Sequence, residues 1–484
     1  MGSLKERIIK GVFWSLIGNA ISKLLSFVAL ILVARIFGPE EYGVFEMLRN
    51  TLITFGVFTG MGIGLTATKY IATFYKKDHE KISHLMGTIY FITLVTTSIF
   101  ALFLLIFARE VAQILLNNEN LTFLLKLGVI LLITNTFVAL QNAIFAGFEK
   151  FKTITKINFI VGVINIPLMV FFAYKFGITG VIIALIISGI IQVSYGYYHI
   201  YKVQKEENIN VNFRKIKEDL LFLWKFSIPT FIATAMVAPI VLVSKSILTY
   251  EENGYIAIGL FSAAYTIQSV LILFNMTLNN ALIPILTSEG DNKNKTFKMI
   301  NIYISWLVGL GITIPIIVFP EITKLMFGEK FFTQEYINTL IILMFSFIIY
   351  MFKQSISRSF IIDSKMWYSV LDNLVWGITL LIVTFFLSHI GSVGLALAYL
   401  ISYIISLLVL VPILYKKNML DKDLFLSKNA FFLWSLTFVL AFIAFSNLNF
   451  VYRLIIIFVS YFLLGVFVIK LKKSVKHVSS SYAE

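Results

Sequence analysis

Lys23 is the residue in this chain whose position most demands a chemical reason. It lies 12 residues beyond Gly11 and 13 before Ile36 in an apolar stretch, roughly 18–20 Å from either end of a helix at about 1.5 Å per residue. A basic group at such depth costs roughly 2.5–3.5 kcal/mol on insertion scales, and snorkelling serves only residues near helix ends. Ser15, Asn19, Ser22 and Ser26 recur around it at three- and four-residue spacing, so one face of this helix is polar. That face lines a cavity, where an ammonium would receive an anion, or it meets a structural ion-pair partner. The next segment offers a matching face in Glu46, Arg49, Asn50 and Thr54. Glu46 is one turn from Arg49 and either neutralises it or holds its guanidinium ready for an anion.

Charge and polarity recur in the second half with a different character. Ser262, Tyr265, Thr266, Ser269, Met276 and Asn280 form a stripe that suits sugar hydroxyls or glues helices together. Lys353, Arg358 and Asp372 fall near the inner ends of two later spans, as an intramembrane ion-pair cluster or an inner gate. Pro229 and Pro239 share one span, where two kinks would make a hinge. Gly56, Gly60 and Gly64 read as a close-packing face. Lys69, Lys126 and Lys225 are near enough to helix ends to snorkel, and Lys245 is left undecided.

Several chemistries are excluded. The chain has no cysteine, which removes disulfides and thiol catalysis. Its five histidines lack ligand spacing, so no metal site is expected. No GxxxxGK[ST] occurs, and Asp421-Lys-Asp423 reads as a solvated turn. No cofactor is expected; a coupling ion, H⁺ or Na⁺, is left open.

The elements that must position these residues are membrane helices. Of 484 residues 59% are hydrophobic and only 13% charged, half the charge of a soluble domain. At about 20 residues per span the pattern predicts an all-α polytopic membrane protein with fourteen transmembrane helices. The net charge of +15 concentrates at the termini and in the even-numbered connections, which places both termini in the cytoplasm. It therefore reports topology, with a secondary attraction to anionic lipids, and implies no nucleic-acid partner. Gly177-Ile-Thr-Gly180 is repeated as Gly391-Ser-Val-Gly394, and Ala184 and Ser188 recur as Ala398 and Ser402, always 214 residues apart. Six spans per copy make the copies parallel repeats, the plan of many transporters. The predicted organisation is residues 1–207 and 208–417 as six-helix lobes, with two added helices and a basic tail over 418–484.

Residues 34–43, Ala-Arg-Ile-Phe-Gly-Pro-Glu-Glu-Tyr-Gly, and 60–71, Gly-Met-Gly-Ile-Gly-Leu-Thr-Ala-Thr-Lys-Tyr-Ile, resemble polysaccharide flippases of the Wzx/RfbX type. These belong to the multidrug/oligosaccharidyl-lipid/polysaccharide (MOP) exporter superfamily, and the resemblance covers about residues 1–417. It implies V-shaped bundles in a prokaryotic cytoplasmic membrane, acting as a monomeric transporter and not an enzyme. The implied substrate is an oligosaccharide on a polyprenyl pyrophosphate, moved outward by alternating access for cell-surface polysaccharide synthesis. Lys23, Arg49, Asn19, Ser26, Glu46, Asn50, Tyr265 and Ser269 are the substrate-binding residues expected, and Lys353, Arg358, Asp372, Pro229 and Pro239 the gating ones. Two alternatives remain. The added helix pair and the basic residues on helices 1 and 2 resemble lipid II flippases, although helix 8 lacks the basic residue expected of them. Drug or cation exporters of the MATE branch share the fold but carry acidic lobes.

Overall fold

A computed structural model describes residues 4–75, 77–220, 223, 231, 235–288, 295–362, 365, 367–417, 419–420, 427–446 and 448–480. Among them there is no strand. The longer helices are α1 (Leu4–Phe37), α2 (Pro39–Gly60), α3 (Ile63–Phe74), α4 (His79–Ile106), α5 (Ala108–Leu116), α6 (Thr122–Gly147) and α7 (Phe151–Glu206). They continue with α8 (Val237–Leu248), α9 (Gly254–Ser288), α10 (Lys295–Val318), α11 (Gln334–Ile362), α12 (Trp367–Leu387), α13 (Ser392–Lys416), α14 (Lys428–Ala444) and α15 (Phe450–Ser480).

This is a multi-pass all-α membrane fold. Among the described residues ten helices are long and apolar enough to cross a bilayer, or eleven with α2 and α3 as one span bent by 42°. The difference from the expected fourteen lies in three places. The 56-residue α7 counts once despite a break at Gly177, and α8 and α14 are short. Large apolar side chains such as Phe431, Phe438, Phe442 and Phe458 are exposed, as lipid-facing residues must be.

The repeated Gly-x-x-Gly has a structural cause. Gly177 (φ 57°, ψ −141°) and Gly391 (φ 67°, ψ −135°) adopt nearly the same conformation, open to glycine because it has no Cβ. The second glycine of each copy then lies against a carbonyl of the preceding segment. A Cβ on Gly180 would sit 2.1 Å from the Phe172 oxygen, and one on Gly394 1.9 Å from that of Leu387. Eight residues of straight helix would separate Gly180 from Phe172 by about 12 Å. The chain has folded back on itself, so the motif is a tight corner between antiparallel helices.

Contacts divide the chain into two compact units, Met1–Gly259 and Leu260–Glu484. In the first, α3, α4, α6 and α7 enclose a core that includes Ile71, Leu85, Phe145 and Ile200. The basic connection after α7 is strapped to the start of α4: Lys81 pairs with the buried Asp219 at 2.6 Å, and the Asn212 N–H donates to the Ser83 carbonyl. In the second, α11 is the central helix, 89% of its best apolar window being buried, whereas only 17% is buried in α15.

A close helix contact in the first unit joins two glycines set in similar triplets 216 residues apart, Gly43-Val-Phe45 and Gly259-Leu-Phe261. A Cβ on Gly43 would lie 1.9 Å from the Tyr255 carbonyl oxygen, and one on Gly259 1.8 Å from that of Pro39. Each glycine thus meets the residue four before the other, a reciprocal packing of α2 on the first turns of α9. The suspected small-residue face behaves differently. Gly56 meets only Leu132 at 3.7 Å, Gly60 meets nothing within 4 Å, and α2 ends there in a bend at Met61 and Gly62. We expect Gly43→Ala and Gly259→Ala each to cost about 1–3 kcal/mol by overpacking, read as a lower melting temperature in detergent. Gly60→Ala should melt like the wild type; equal losses at all three would contradict the reciprocal contact.

Candidate functional site

Gly38 at φ 78° and Pro39 at the first helical position launch α2, with Glu40 and Glu41 in its first turn. Spacing of three and four then puts Glu46, Arg49, Asn50 and Thr54 on one face. The Glu46 carboxylate accepts from Arg49 Nε at 2.8 Å and Nη2 at 3.1 Å, the bidentate fork that fixes a guanidinium. Asn50 Nδ2 donates to the Glu46 carbonyl at 2.6 Å. Thr54 Oγ1 donates to the Asn50 carbonyl at 2.9 Å and reaches the Ala238 carbonyl of α8 at 3.3 Å.

That last contact brings α8 against α2 and introduces a residue to which the sequence gave no role. Lys245 is only 3% exposed, and Glu46, 2% exposed, acts electrostatically on it together with Arg49. The Glu46 carboxylate therefore bears on two basic side chains, binding Arg49 directly and acting on Lys245 through space. The clue in the sequence was the three-residue polar run Ser244-Lys245-Ser246 inside an apolar stretch, all three residues of which are buried.

Lys23 stands apart from this cluster. It is exposed on α1 beside the exposed Leu24 and Val28, and among the described residues no ion pair joins it. Ser26 donates to the Ser22 carbonyl of its own helix at 2.9 Å. The Asn19 side chain lies outside the described residues, as do Pro229 and Asp421-Lys-Asp423. Pro239 is described. It occupies the third position of α8, just after a turn at Met236 that follows the helical Ala235.

In the second unit the expected trio separates into two assemblies. Lys353 Nζ and Asp372 Oδ1 are 2.9 Å apart, both nearly fully buried, and Ser406 Oγ donates to the same carboxylate oxygen. The ammonium also lies 5.3 Å from the ring centre of Tyr403. Arg358, 1% exposed, joins no carboxylate. Its Nε donates to Asn301 Oδ1 at 2.7 Å, Nη1 to Asn279 Oδ1 at 2.8 Å and Asn275 Oδ1 at 3.5 Å, and Nη2 to the Asn301 carbonyl at 3.1 Å and Ser305 Oγ. All five guanidinium donors are used, so Arg358 ties α9, α10 and α11 together and has nothing left for an anion. The pairs Asn275/Asn279 and Asn301/Ser305 are each spaced by four, a signal available in the sequence. Ser269 Oγ is spent on the Thr266 carbonyl at 2.7 Å. Tyr265 stacks on Phe261 at 5.8 Å and meets Tyr399 at 5.9 Å.

A family model described as polysaccharide biosynthesis protein matches residues 8–289. A Shigella flexneri protein named "Putative O-antigen transporter" is 24% identical over 352 residues, spanning 70% of this chain and 81% of that protein. The stage V sporulation protein B of Bacillus subtilis is 26% identical over 117 residues, 24% of this chain and 23% of that one. Among solved structures, the lipid II flippase MurJ in an inward closed conformation superposes with a TM-score of 0.72 at 17% identity, covering 96% of this chain and 99% of its own. An inward-facing multidrug resistance MATE family transporter of the MOP superfamily gives 0.68 at 15%, covering 83% and 98%. At such identities the likeness is one of fold, and the fold is that of the MOP superfamily.

Arg358 should not tolerate lysine, whose ammonium cannot occupy a five-donor cage. Losing its charge-assisted bonds costs about 1.5–3 kcal/mol each, so Arg358→Lys should melt well below wild type in detergent. Lys353→Met should cost about 3–5 kcal/mol by stranding Asp372, and the double variant Lys353→Met/Asp372→Leu should cost less. A double variant weaker than either single would refute a dry, self-contained pair.

Proposed function

The chain belongs to the polysaccharide biosynthesis protein family, and from that membership we propose that it is a flippase. It carries an oligosaccharide on a polyprenyl pyrophosphate from the inner to the outer leaflet by alternating access, for cell-surface polysaccharide synthesis. It is a transporter and not an enzyme. The observation that carries this reading is the bidentate fork in which Glu46 holds Arg49, whose side chain stays 32% exposed. Glu46 orients the guanidinium, and its open side receives the pyrophosphate or an acidic sugar with Lys245 close by, in surroundings whose low dielectric strengthens the contact. Lys23, exposed on α1, supplies a further cation, and Asn50 a polar contact for sugar.

The lipid tail has its own surface. An apolar groove of about 420 Å³ runs between α11, α13 and α14, lined by Phe345, Leu407, Val411, Trp434 and Phe438 among others. Thr437 is the one polar side chain on it, and its hydroxyl is bonded to the Leu433 carbonyl at 2.8 Å. Such a dry surface suits an isoprenoid chain, and the added helix α14 thereby guides the tail. The basic excess on the even-numbered connections orients the protein with both termini in the cytoplasm. Export of a cationic drug is disfavoured, because Glu46 and Asp372, the buried carboxylates of the described spans, already pair with basic side chains.

Complementation of a bacterial strain lacking its O-antigen flippase tests this directly. Arg49→Ala, Lys245→Ala and Lys23→Ala should each lower surface polysaccharide by about tenfold or more, equivalent to about 1.4 kcal/mol, at unchanged protein level. Lys245→Arg should retain function. Full complementation by all three alanine variants would sink the cationic site.

A further inference from the structure

Five aromatic side chains with polar tips converge in the second unit, from four helices. Trp376 of α12 stacks on Tyr403 of α13 at 5.9 Å with planes 22° apart. Tyr350 of α11 meets the same Tyr403 at 5.8 Å, while Tyr399 of α13 meets Trp376 at 6.1 Å and Tyr265 of α9 at 5.9 Å. The phenol oxygens of Tyr265, Tyr350 and Tyr399, with the Asp372 carboxylate, lie within electrostatic reach of that of Tyr403. The polar ends gather as well as the rings.

Packing alone does not explain this choice of residues. Phe or Leu would fill the same volume without polar atoms to desolvate. Here Tyr399 is 1% and Trp376 5% exposed, and neither the Tyr399 hydroxyl nor the Trp376 indole N–H has a hydrogen-bond partner among the described residues. Gln268 Oε1, on the same helix as Tyr265, is likewise buried and unpartnered. Buried polar groups without partners are rare in folded proteins, and each calls for a ligand, a water or a role. Tyr265, Tyr350 and Tyr403 are only half-buried, so the cluster keeps an accessible edge.

We propose that this cluster is a saccharide subsite, with the half-buried Tyr265, Tyr350 and Tyr403 meeting a sugar's C–H face along their accessible edge, Trp376 backing Tyr403 from beneath, and the phenol tips bonding the sugar's hydroxyls. The inference rests on the flippase reading and assigns the sugar to a surface distinct from the cationic cluster. A pyrophosphate is the wrong occupant, since Lys353 is neutralised by Asp372 at 2.9 Å and the donors of Arg358 are consumed by Asn275, Asn279, Asn301 and Ser305. A neutral ring with a polar rim and an apolar face matches what remains.

Binding to the purified full chain in nanodiscs separates the two claims. The probes are a polyprenyl pyrophosphate carrying one N-acetylhexosamine and the same polyprenyl pyrophosphate without sugar. The wild type should bind the sugar-bearing lipid about tenfold more tightly. Tyr403→Leu should erase that preference while leaving affinity for the bare lipid unchanged, which also shows that the variant is folded. Tyr403→Phe, which keeps the ring, should retain part of the preference, and Arg49→Ala should weaken both lipids alike. Equal wild-type affinity for the two lipids, or a preference that survives Tyr403→Leu, overturns the saccharide subsite and leaves the flippase reading standing. Failure of the wild type to bind either lipid overturns that reading and the subsite with it.

Discussion

The approach of two backbones at Gly43 and Gly259 sets the geometry of the cationic cluster. With carbonyl oxygens where side chains would begin, α2 and the first turns of α9 can pack only through glycine. The connection from α8 to α9 spans only residues 249–253 and is pinned to the end of α5. Asn117 donates to the Thr249 carbonyl at 2.9 Å, Tyr250 to that of Ile114 at 2.7 Å, and Tyr255 to that of Leu116. So short a turn obliges α8 to run back along α2, and that path carries Lys245 to Glu46 and Arg49. A backbone constraint therefore decides where charge is concentrated in the first unit.

The two repeats share corners and differ in chemistry. Gly177 and Gly391 turn the chain alike, and Gly43 and Gly259 meet as equivalents. Beyond those points the first unit holds Arg49 on Glu46 with its side chain still 32% exposed, whereas the second spends its charges internally. Lys353 is matched by Asp372, and Arg358 is dispersed over neutral groups that hold three helices together. A burial penalty is met either by a partner within the protein or by a ligand, and the second unit takes the first course; we propose that anion binding falls to the first.

Much of this was legible in the residues, and the exceptions have physical reasons. The Gly-x-x-Gly repeat announced duplicated corners because only glycine tolerates that backbone. Glu46 and Arg49 could be paired from their spacing, since helix periodicity fixes i,i+3 neighbours. Lys245 was missed because a lysine near a helix end looks like a snorkelling one until tertiary packing buries it. The trio of Lys353, Arg358 and Asp372 split because five residues set Lys353 and Arg358 roughly 140° apart around α11, and asparagines proved adequate company for a guanidinium. Gly56 and Gly60 suggested close packing, yet the chain uses that stretch to bend.

We propose that an anionic, sugar-bearing lipid crosses the membrane through this chain. The most direct measurement is leaflet exchange of a fluorescent polyprenyl-pyrophosphate oligosaccharide in proteoliposomes, read with a membrane-impermeant quencher. Wild-type vesicles should let quencher reach label that stays protected in protein-free vesicles, and substituting Arg49 and Lys245 together by alanine should restore the protection. Protection equal to that of protein-free vesicles with the wild type, or exchange undiminished by the double substitution, would contradict it.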